Sequence, residues 1–246
     1  MISRTRRGHV EVVRLDAPPL NLLGSPMITA VREAFADLAG SRPRAVVLRC
    51  AGGGADVREM ATFTPESGRA FITALHEACA AVRALDAPVI AAVDGVCLGA
   101  HLELAAACDL RIASEGSRFG MPEINVGLPS VIDAWWITKI CGMGAASELF
   151  FGGELIDAAE AARIGLINRV AGPGALEDAA VDWAAALASF SPVALAAQKG
   201  VLRDWTDAEY RAAASASIDR FAEALAAGEY RDAMNAMLQK RKAVFE

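Results

Sequence analysis

Two glutamates lie in apolar surroundings, where a carboxylate can exchange protons with a bound substrate. Glu103 is the one acid in the opening of a predicted helix that also contains Leu102 and Leu104. Glu123 follows Pro122 in a loop-like stretch between apolar residues. Two carboxylates around one water can supply a general base and a general acid. Bland roles stay open: a first-turn glutamate can satisfy the helix dipole, and Glu123 can be an exposed loop or N-cap acid.

Two turns rich in small residues could present free backbone N–H groups to an anion. The first lies within Cys50–Met60 and the second within Val93–Asp109, each between a predicted strand and a predicted helix. In the second turn, Glu103 follows Ala100 by three residues and can share a helix face with its N–H. The first turn lacks the P-loop and dinucleotide-binding patterns, which disfavours both kinds of site. An ordinary tight connection explains its glycines equally well.

The elements that must position these residues alternate in the first half of the chain. Short apolar runs predict strands, and apolar residues at helical spacing predict the helices between them. The predicted strands are Val10–Leu15, Ala45–Arg49 and Pro88–Val93, and the predicted helices are Met27–Leu38 and Phe71–Leu85. Strands separated by helices predict an α/β fold with mostly parallel pairing.

The second half is nearly all helical and rich in alanine. Its predicted helices are Ala175–Ser189, Pro192–Asp204, Asp207–Ala227 and Glu229–Val244. The composition changes near Gly172, which predicts an α/β catalytic core over residues 1–172 and a helical region over residues 173–246. No Gly/Ser-rich or Pro-rich linker separates them, so we expect the helical region to pack on another surface.

Composition excludes several classes of protein. The 246 residues allow one large domain or two small ones, and the net charge of −6 disfavours a general nucleic-acid surface. The apolar stretches are far shorter than the roughly 20 residues of a membrane-spanning helix. Five cysteines without a C-x-x-C pair indicate buried thiols in a reducing compartment. The basic N-terminus is not followed by an apolar segment, so we predict no signal peptide and a cytoplasmic protein.

Taken together, the segments that carry these features resemble the enoyl-CoA hydratase/isomerase (crotonase) superfamily, over essentially the whole chain. The order and spacing of the matching segments are far more specific than any one of them. These segments are Gly54–Met60, Gly95–Asp109, Phe119–Gly127, Gly153–Asn168 and Lys240–Phe245. The resemblance implies a crotonase-type spiral of repeated β-β-α units with a helical C-terminal region. It also implies a homotrimer or a dimer of trimers.

By resemblance, the chain binds an acyl-CoA thioester and needs neither a metal nor a redox cofactor. The backbone N–H groups of Ala55 and Ala100 would form an oxyanion hole for the thioester oxygen. Glu103 would act mainly as the base and Glu123 as the acid, although the roles could be shared. The activity implied is addition of water to a 2-enoyl-CoA, giving a 3-hydroxyacyl-CoA. The residues implied in substrate binding are Ala55, Asp56, Val57, Arg58, Ala100, Lys240 and Phe245.

Departures from the family pattern keep other reactions open. Ala100 lies where glycine is usual, and His101 lies where a small residue is usual; we expect His101 to be a packed histidine. The run Pro129–Trp136 replaces a glycine-rich stretch, and its tryptophans and Asp133 are expected to alter the acyl pocket. The alternatives are isomerisation, thioester hydrolysis or decarboxylation of a CoA substrate, or a non-catalytic acyl-CoA-binding protein.

Overall fold

The computed structural model describes residues 2–243 of the chain, and its strands form two sheets. The strands are β1 (Ile2–Arg7), β2 (Val10–Leu15), β3 (Ala45–Arg49), β4 (Val89–Val93), β5 (Val96–Leu98), β6 (Leu110–Ser114), β7 (Arg118–Gly120), β8 (Ile156–Asp157) and β9 (Arg169–Ala171). The larger sheet has the order β1-β2-β3-β4-β6-β9, and the smaller has the order β5-β7-β8.

The helices lie on both sides of the larger sheet and at one end of the smaller one. They are α1 (Ser25–Ser41), α2 (Val57–Met60), α3 (Pro65–Ala84), α4 (Ala100–Ala106), α5 (Ala134–Gly152), α6 (Ala158–Arg163), α7 (Leu176–Ala188), α8 (Pro192–Ala227) and α9 (Glu229–Leu238). A 3-10 helix, Pro122–Val126, follows β7.

The larger sheet is parallel from β2 to β9, and only the edge strand β1 pairs antiparallel, with β2. Every residue of β4 is buried, as expected of a parallel strand covered on both faces. The predicted α/β fold with mostly parallel pairing is therefore confirmed.

Alternate residues of the strands face two different cores, because side chains alternate across a strand. In β3, Val46 and Leu48 join the main core with α1, α3 and α4. Ala45 and Val47 face the other way and pack with Leu176 and other residues of α7. Helix α7 thus covers one face of the sheet, while α8 packs on α3. The division of the chain near residue 172 stays a prediction.

The smaller sheet brings the chemically suggestive turns together. Strand β4 leads into β5 and then α4, and β6 leads into β7 and then the 3-10 helix, which repeats a β-β-α unit. The turn after β3 joins the same layer, because Gly52 bridges Cys97 of β5. This is the crotonase-type spiral that the resemblance implies. Since the turns follow equivalent strands, they emerge at one edge of the smaller sheet.

Two expectations about the elements were wrong. The helices predicted over Pro192–Asp204 and Asp207–Ala227 are one continuous helix, α8, of 36 residues. Asp204 is exposed and Asp207 pairs with Arg211 one turn on, so neither acid interrupts the helix. The Thr206 Oγ1 donates to the Leu202 carbonyl at 3.1 Å. The helix predicted from Glu229 ends at Leu238. Strand β1 was not predicted, because its exposed polar and basic side chains carry no apolar pattern.

Within residues 2–243, no individual helix combines the length and apolarity needed to cross a membrane. Only α7 and α8 taken together, with a bend of 102° between them, meet that requirement by length and composition.

Candidate active site

A cavity of about 840 Å³ lies at the edge of the smaller sheet, where the two small-residue turns meet the 3-10 helix. Its floor contains Ala55 and Ala100 together with Glu103 and Glu123. The structure therefore brings together the four residues that the sequence singled out for catalysis. Most of the remaining wall is apolar, and is supplied by α3, α8, α9 and the loop after the 3-10 helix.

Glu103 reaches the cavity from a short helix that is buried throughout. All seven residues of α4 are buried, and Glu103 itself is 4% exposed. Its Oε1 accepts a hydrogen bond from the Ala134 N–H at 3.2 Å. Burial and the negative charge of Glu123 raise the pKa of Glu103 well above its ordinary value, and the Ala134 N–H acts against them. The carboxylate is thus held in a state from which it readily accepts a proton.

Glu123 enters the same cavity from the 3-10 helix. Its Oε2 accepts a hydrogen bond from the Ser130 hydroxyl at 2.8 Å. Burial raises the pKa of Glu123, and the hydrogen bonds from its own backbone and from Ser130 only partly oppose this. Its Oε1 approaches Gly99 so closely that a Cβ there would overlap it. Gly99, with φ of 49°, therefore serves both the turn and the close approach of this carboxylate.

Ala55 and Ala100 line the same cavity as the two glutamates, so their backbone N–H groups are the candidate donors there. Ala100 is the first residue of α4, so its N–H has no acceptor within the helix. Ala55 follows Gly54, whose φ of 92° turns the chain sharply after β3. The two turns touch through Gly54, where a Cβ would lie 3.1 Å from the carbonyl oxygen of Leu98. Donors fixed in this way can stabilise negative charge on a substrate oxygen without reorganising.

The other predicted substrate-binding residues are placed less uniformly. Val57 lines the cavity. Asp56 caps α2, where its carboxylate accepts the Arg58 N–H at 3.0 Å, and the Arg58 side chain is exposed. Lys240 is exposed in the turn after α9, and the next two residues, Arg241 and Lys242, line the cavity instead. Phe245 lies outside the described residues.

Sequence reasoning missed the apolar wall of the cavity. Helical periodicity identified the buried face of α3 but could not separate residues that pack in the core from those that border a hollow. The apolar residues it missed, from α2, α3, α8 and α9, are Met60, Phe71, Ile72, Leu75, Phe221 and Met234.

The departures from the family pattern lie partly in the cavity. Ala100, Pro129 and Val131 line it, whereas Asp133, Trp135 and Trp136 are not among the described residues that do. The two tryptophan rings pack against Tyr210, with centroid distances of 5.3 and 5.1 Å. The tryptophans do not line the cavity, because the first turn of α5 directs them towards Tyr210 of α8, and the expected effect of this run on the acyl pocket stays a prediction.

His101 is a packed histidine, as expected. Its ring is fully buried against Gly52, where an added Cβ would lie 2.5 Å from Cε1. Burial lowers its pKa to about 4. The imidazole therefore stays neutral beside the second turn and acts as a packing group.

Comparisons with known proteins agree with this geometry. A sequence model described as enoyl-CoA hydratase/isomerase matches residues 5–246. The short-chain-enoyl-CoA hydratase of Clostridium acetobutylicum is 34% identical over 245 residues, covering 96% of this chain and 94% of its own. The crotonyl-CoA hydratase of Syntrophomonas wolfei is 33% identical over 193 residues, covering 78% of this chain and 74% of its own.

Solved structures show the same fold. The crystal structure of an enoyl-CoA hydratase/isomerase from Pseudoalteromonas atlantica superposes with a TM-score of 0.88 at 25% identity, covering 100% of this chain and 99% of that one. Sequence and structure therefore agree over the full length of the match. The chain belongs to the enoyl-CoA hydratase/isomerase family.

Proposed function

We propose that this protein adds water to a 2-enoyl-CoA thioester and forms a 3-hydroxyacyl-CoA. The observation that carries the proposal is the meeting of the buried Glu103, the half-buried Glu123 and two residues with candidate backbone donors in one cavity. Hydration requires a base for the water, an acid for Cα and a site for the transient enolate oxygen. The base would be Glu103 and the acid would be Glu123. The enolate oxygen would be bound by the N–H groups of Ala55 and Ala100. The names of the hydratases from Clostridium and Syntrophomonas support the same reaction.

Burial raises the pKa of both glutamates. Once Glu123 is protonated, its charge no longer raises the pKa of Glu103, which can then be ionised while Glu123 holds the proton. Ionised Glu103 takes one proton from water as the water oxygen bonds to Cβ, and the C=C electron pair moves onto the thioester oxygen. The N–H groups of Ala55 and Ala100 stabilise that oxyanion, and losing one such donor costs on the order of 10²–10³ in rate. Protonated Glu123 then delivers its proton to Cα. Transfer of the proton held by Glu103 back to Glu123 restores the starting state.

The cavity wall suits an acyl chain at one end and an anionic carrier at the other. Apolar side chains from α3 and α8, including Phe71 and Phe221, would surround the acyl group. Arg241 and Lys242 would attract the phosphates of CoA, with Lys240 and Phe245 as further contacts in the same terminal segment. No metal and no redox cofactor takes part in this scheme.

We also propose that the protein works in the cytoplasm as a homotrimer or a dimer of trimers. Large apolar side chains exposed on the single chain support self-association, since they would gain from burial between subunits. Phe151, Val193 and Trp205 are 80%, 77% and 76% exposed. Light scattering of the purified protein measures the assembly.

The test is turnover of a panel of 2-enoyl-CoA thioesters by the purified protein, with products identified by mass. A gain of one water is the expected result. A moved double bond, free CoA or release of carbon dioxide would instead assign one of the related reactions. Tight binding of the thioesters without any product would identify a non-catalytic acyl-CoA-binding protein.

A further inference from the structure

Another buried carboxylate, Asp133, lies outside the cavity lining and next to a residue that contacts Glu103. Asp133 immediately precedes α5, and its side chain is 0% exposed. Arg83 of α3 forms an ion pair with its Oδ1. The Tyr210 hydroxyl of α8 donates to its Oδ2 at 2.9 Å, and His76 Nδ1 lies 3.3 Å from the same oxygen. Side chains of α3 and α8 therefore hold Asp133, the residue at the start of α5, in place.

The residue before Asp133 is held in an unfavourable backbone conformation. Ile132 has φ of 43°, a left-handed value that a β-branched side chain rarely adopts. Its N–H donates to the Ser217 hydroxyl of α8 at 2.8 Å. Such a conformation persists only where the surrounding contacts determine it. Ser217 and the partners of Asp133 supply these contacts on either side of the turn.

The residue after Asp133 touches the proposed catalytic machinery. The Ala134 N–H is shared between the Val131 carbonyl oxygen at 2.9 Å and Glu103 Oε1 at 3.2 Å. A small rotation of the turn would leave this N–H with Val131 alone. A hydrogen bond to a carboxylate favours its charged form, so that rotation would remove support for ionised Glu103.

We propose that Asp133 is a positioning residue, which holds the start of α5 so that the Ala134 N–H stays directed at Glu103. Asp133 does not itself contact the cavity; it acts through the backbone of the next residue. The inference rests on the proposed function, because it assigns Glu103 the role of base. It adds a device supplied by the Pro129–Trp136 run, the segment in which this chain departs from its family.

The charges around Glu103 decide which variants are informative. In addition to burial, the charge of Glu123 from the 3-10 helix raises the pKa of Glu103, and Glu103 in turn raises the pKa values of Cys79 from α3 and Tyr210 from α8. Burial raises the pKa of Tyr210, so its hydroxyl stays neutral at the pH of an assay. Removing that hydroxyl therefore changes no charge.

A substitution of Asp133, unlike one of Tyr210, changes the charge near Glu103. Asp133→Asn removes a negative charge and leaves the Arg83 cation without its partner, which by electrostatics alone would lower the pKa of Glu103. Loss of the Ala134 hydrogen bond would raise it. Because the two effects have opposite signs, uncharged substitutions give the clearer test.

The decisive variant is the double substitution Tyr210→Phe with Ser217→Ala, which removes one hydrogen bond on each side of the turn. We expect kcat to fall by about 10-fold, scaled to the loss of two hydrogen bonds, one of them to a carboxylate, with KM little changed. The acid limb of the pH profile should move to higher pH, because a carboxylate that loses a donor ionises less readily. Unchanged kcat with an unchanged acid limb would overturn the proposal.

The matched control is Asp219→Asn. This residue pairs with Arg69 at 2.6 Å, also between α3 and α8, but on the exposed surface. A role limited to joining these helices predicts that the double variant, like the control, changes stability and leaves the pH profile in place. If the double variant does not fold, Ser217→Ala alone serves as the test, with the same displacement expected at smaller size.

A second measurement separates this inference from the proposed function. Infrared difference titration of wild type against Glu103→Gln isolates the carboxyl of Glu103 without any turnover. If wild type hydrates no thioester of the panel, the proposed function fails, and this titration still decides the positioning role. Ionisation of Glu103 at higher pH in the double variant supports the proposal, and ionisation at the wild-type pH rejects it.

Discussion

Glu103 and Asp133 are both buried acids near the start of α5, yet their surroundings differ. Asp133 has a cation on one oxygen and a phenol on the other, all from residues packed around it. Glu103 has a share of one backbone N–H and the repulsion of a second carboxylate. Both carboxylate oxygens of Asp133 therefore have a side-chain partner, whereas Glu103 has a single shared hydrogen bond in the cavity.

The difference shows that burial alone does not identify a reactive carboxylate. An acid whose charge is matched stabilises the packing around it, and its removal leaves a buried cation behind. An acid whose charge is poorly matched costs folding free energy and is poised to exchange a proton. The partners of each carboxylate, counted atom by atom, separate the two roles.

The largest expected effect is on stability, at Asp133. Asp133→Ala should lower the free energy of unfolding by about 3 kcal/mol, since it leaves the Arg83 guanidinium, whose side chain is 14% exposed, without its partner. Urea denaturation followed by circular dichroism measures this loss. A loss below about 1 kcal/mol, as at an exposed ion pair, would break the comparison.

The next effect is on activity, at the two glutamates of the cavity. Glu103→Gln and Glu123→Gln should each lower hydration by at least about 10²-fold, the contribution of a general acid or base. The fold should stay intact, because neither substitution removes a matched charge. Glu115→Gln, an exposed acid after β6, is the control. Near-wild-type turnover by either cavity variant would remove that residue from the mechanism.

A smaller effect is the pH dependence of stability. The pKa of Glu103 is raised in the folded state above its ordinary 4.5, so the folded protein binds more protons than the unfolded chain just above that pH. Stability should therefore fall as pH rises from 4.5 through the folded-state pKa. Glu103→Gln should lessen this fall and be more stable than wild type at neutral pH. Thermal melts of both proteins across pH check the sign, and parallel curves would contradict it.

The smallest expected effect is on stability, at a solvent-exposed ion pair. Asp219→Asn removes the exposed contact with Arg69 and should change the free energy of unfolding by no more than about 1 kcal/mol. Compared with Asp133→Ala in the same denaturation experiment, it measures what burial adds to a matched charge. Equal losses at the two positions would show that burial adds nothing.

Local patterns predicted several elements because the forces involved are local. Val10–Leu15 and Ala45–Arg49 form strands with the predicted bounds, since both are rich in valine and almost all of their residues are buried. The edge strand β1 was missed, because backbone pairing with β2 sets its conformation and its side chains stay exposed.

The candidate site was predicted in its reactive residues and missed in its surroundings. Resemblance to the family located Glu103, Glu123, Ala55 and Ala100, and the structure places all four in one cavity. Their roles remain the proposal that the experiments above test. The apolar wall and the contribution of Arg241 come from elements distant in the chain, which no local pattern relates to one another.

The sequence by itself determined the family, the alternation of strands and helices, and the two acids most suited to proton transfer. The alternation follows from residue types at short spacing, and the family and its two acids follow from the order of motifs along the whole chain. The tertiary structure alone decided that Asp133 is matched while Glu103 is not, because the partners of Asp133 lie 50 and 77 residues away along the chain. A carboxylate's charge state depends on the atoms packed around it, and folding brings those atoms from helices that the sequence does not show to be neighbours.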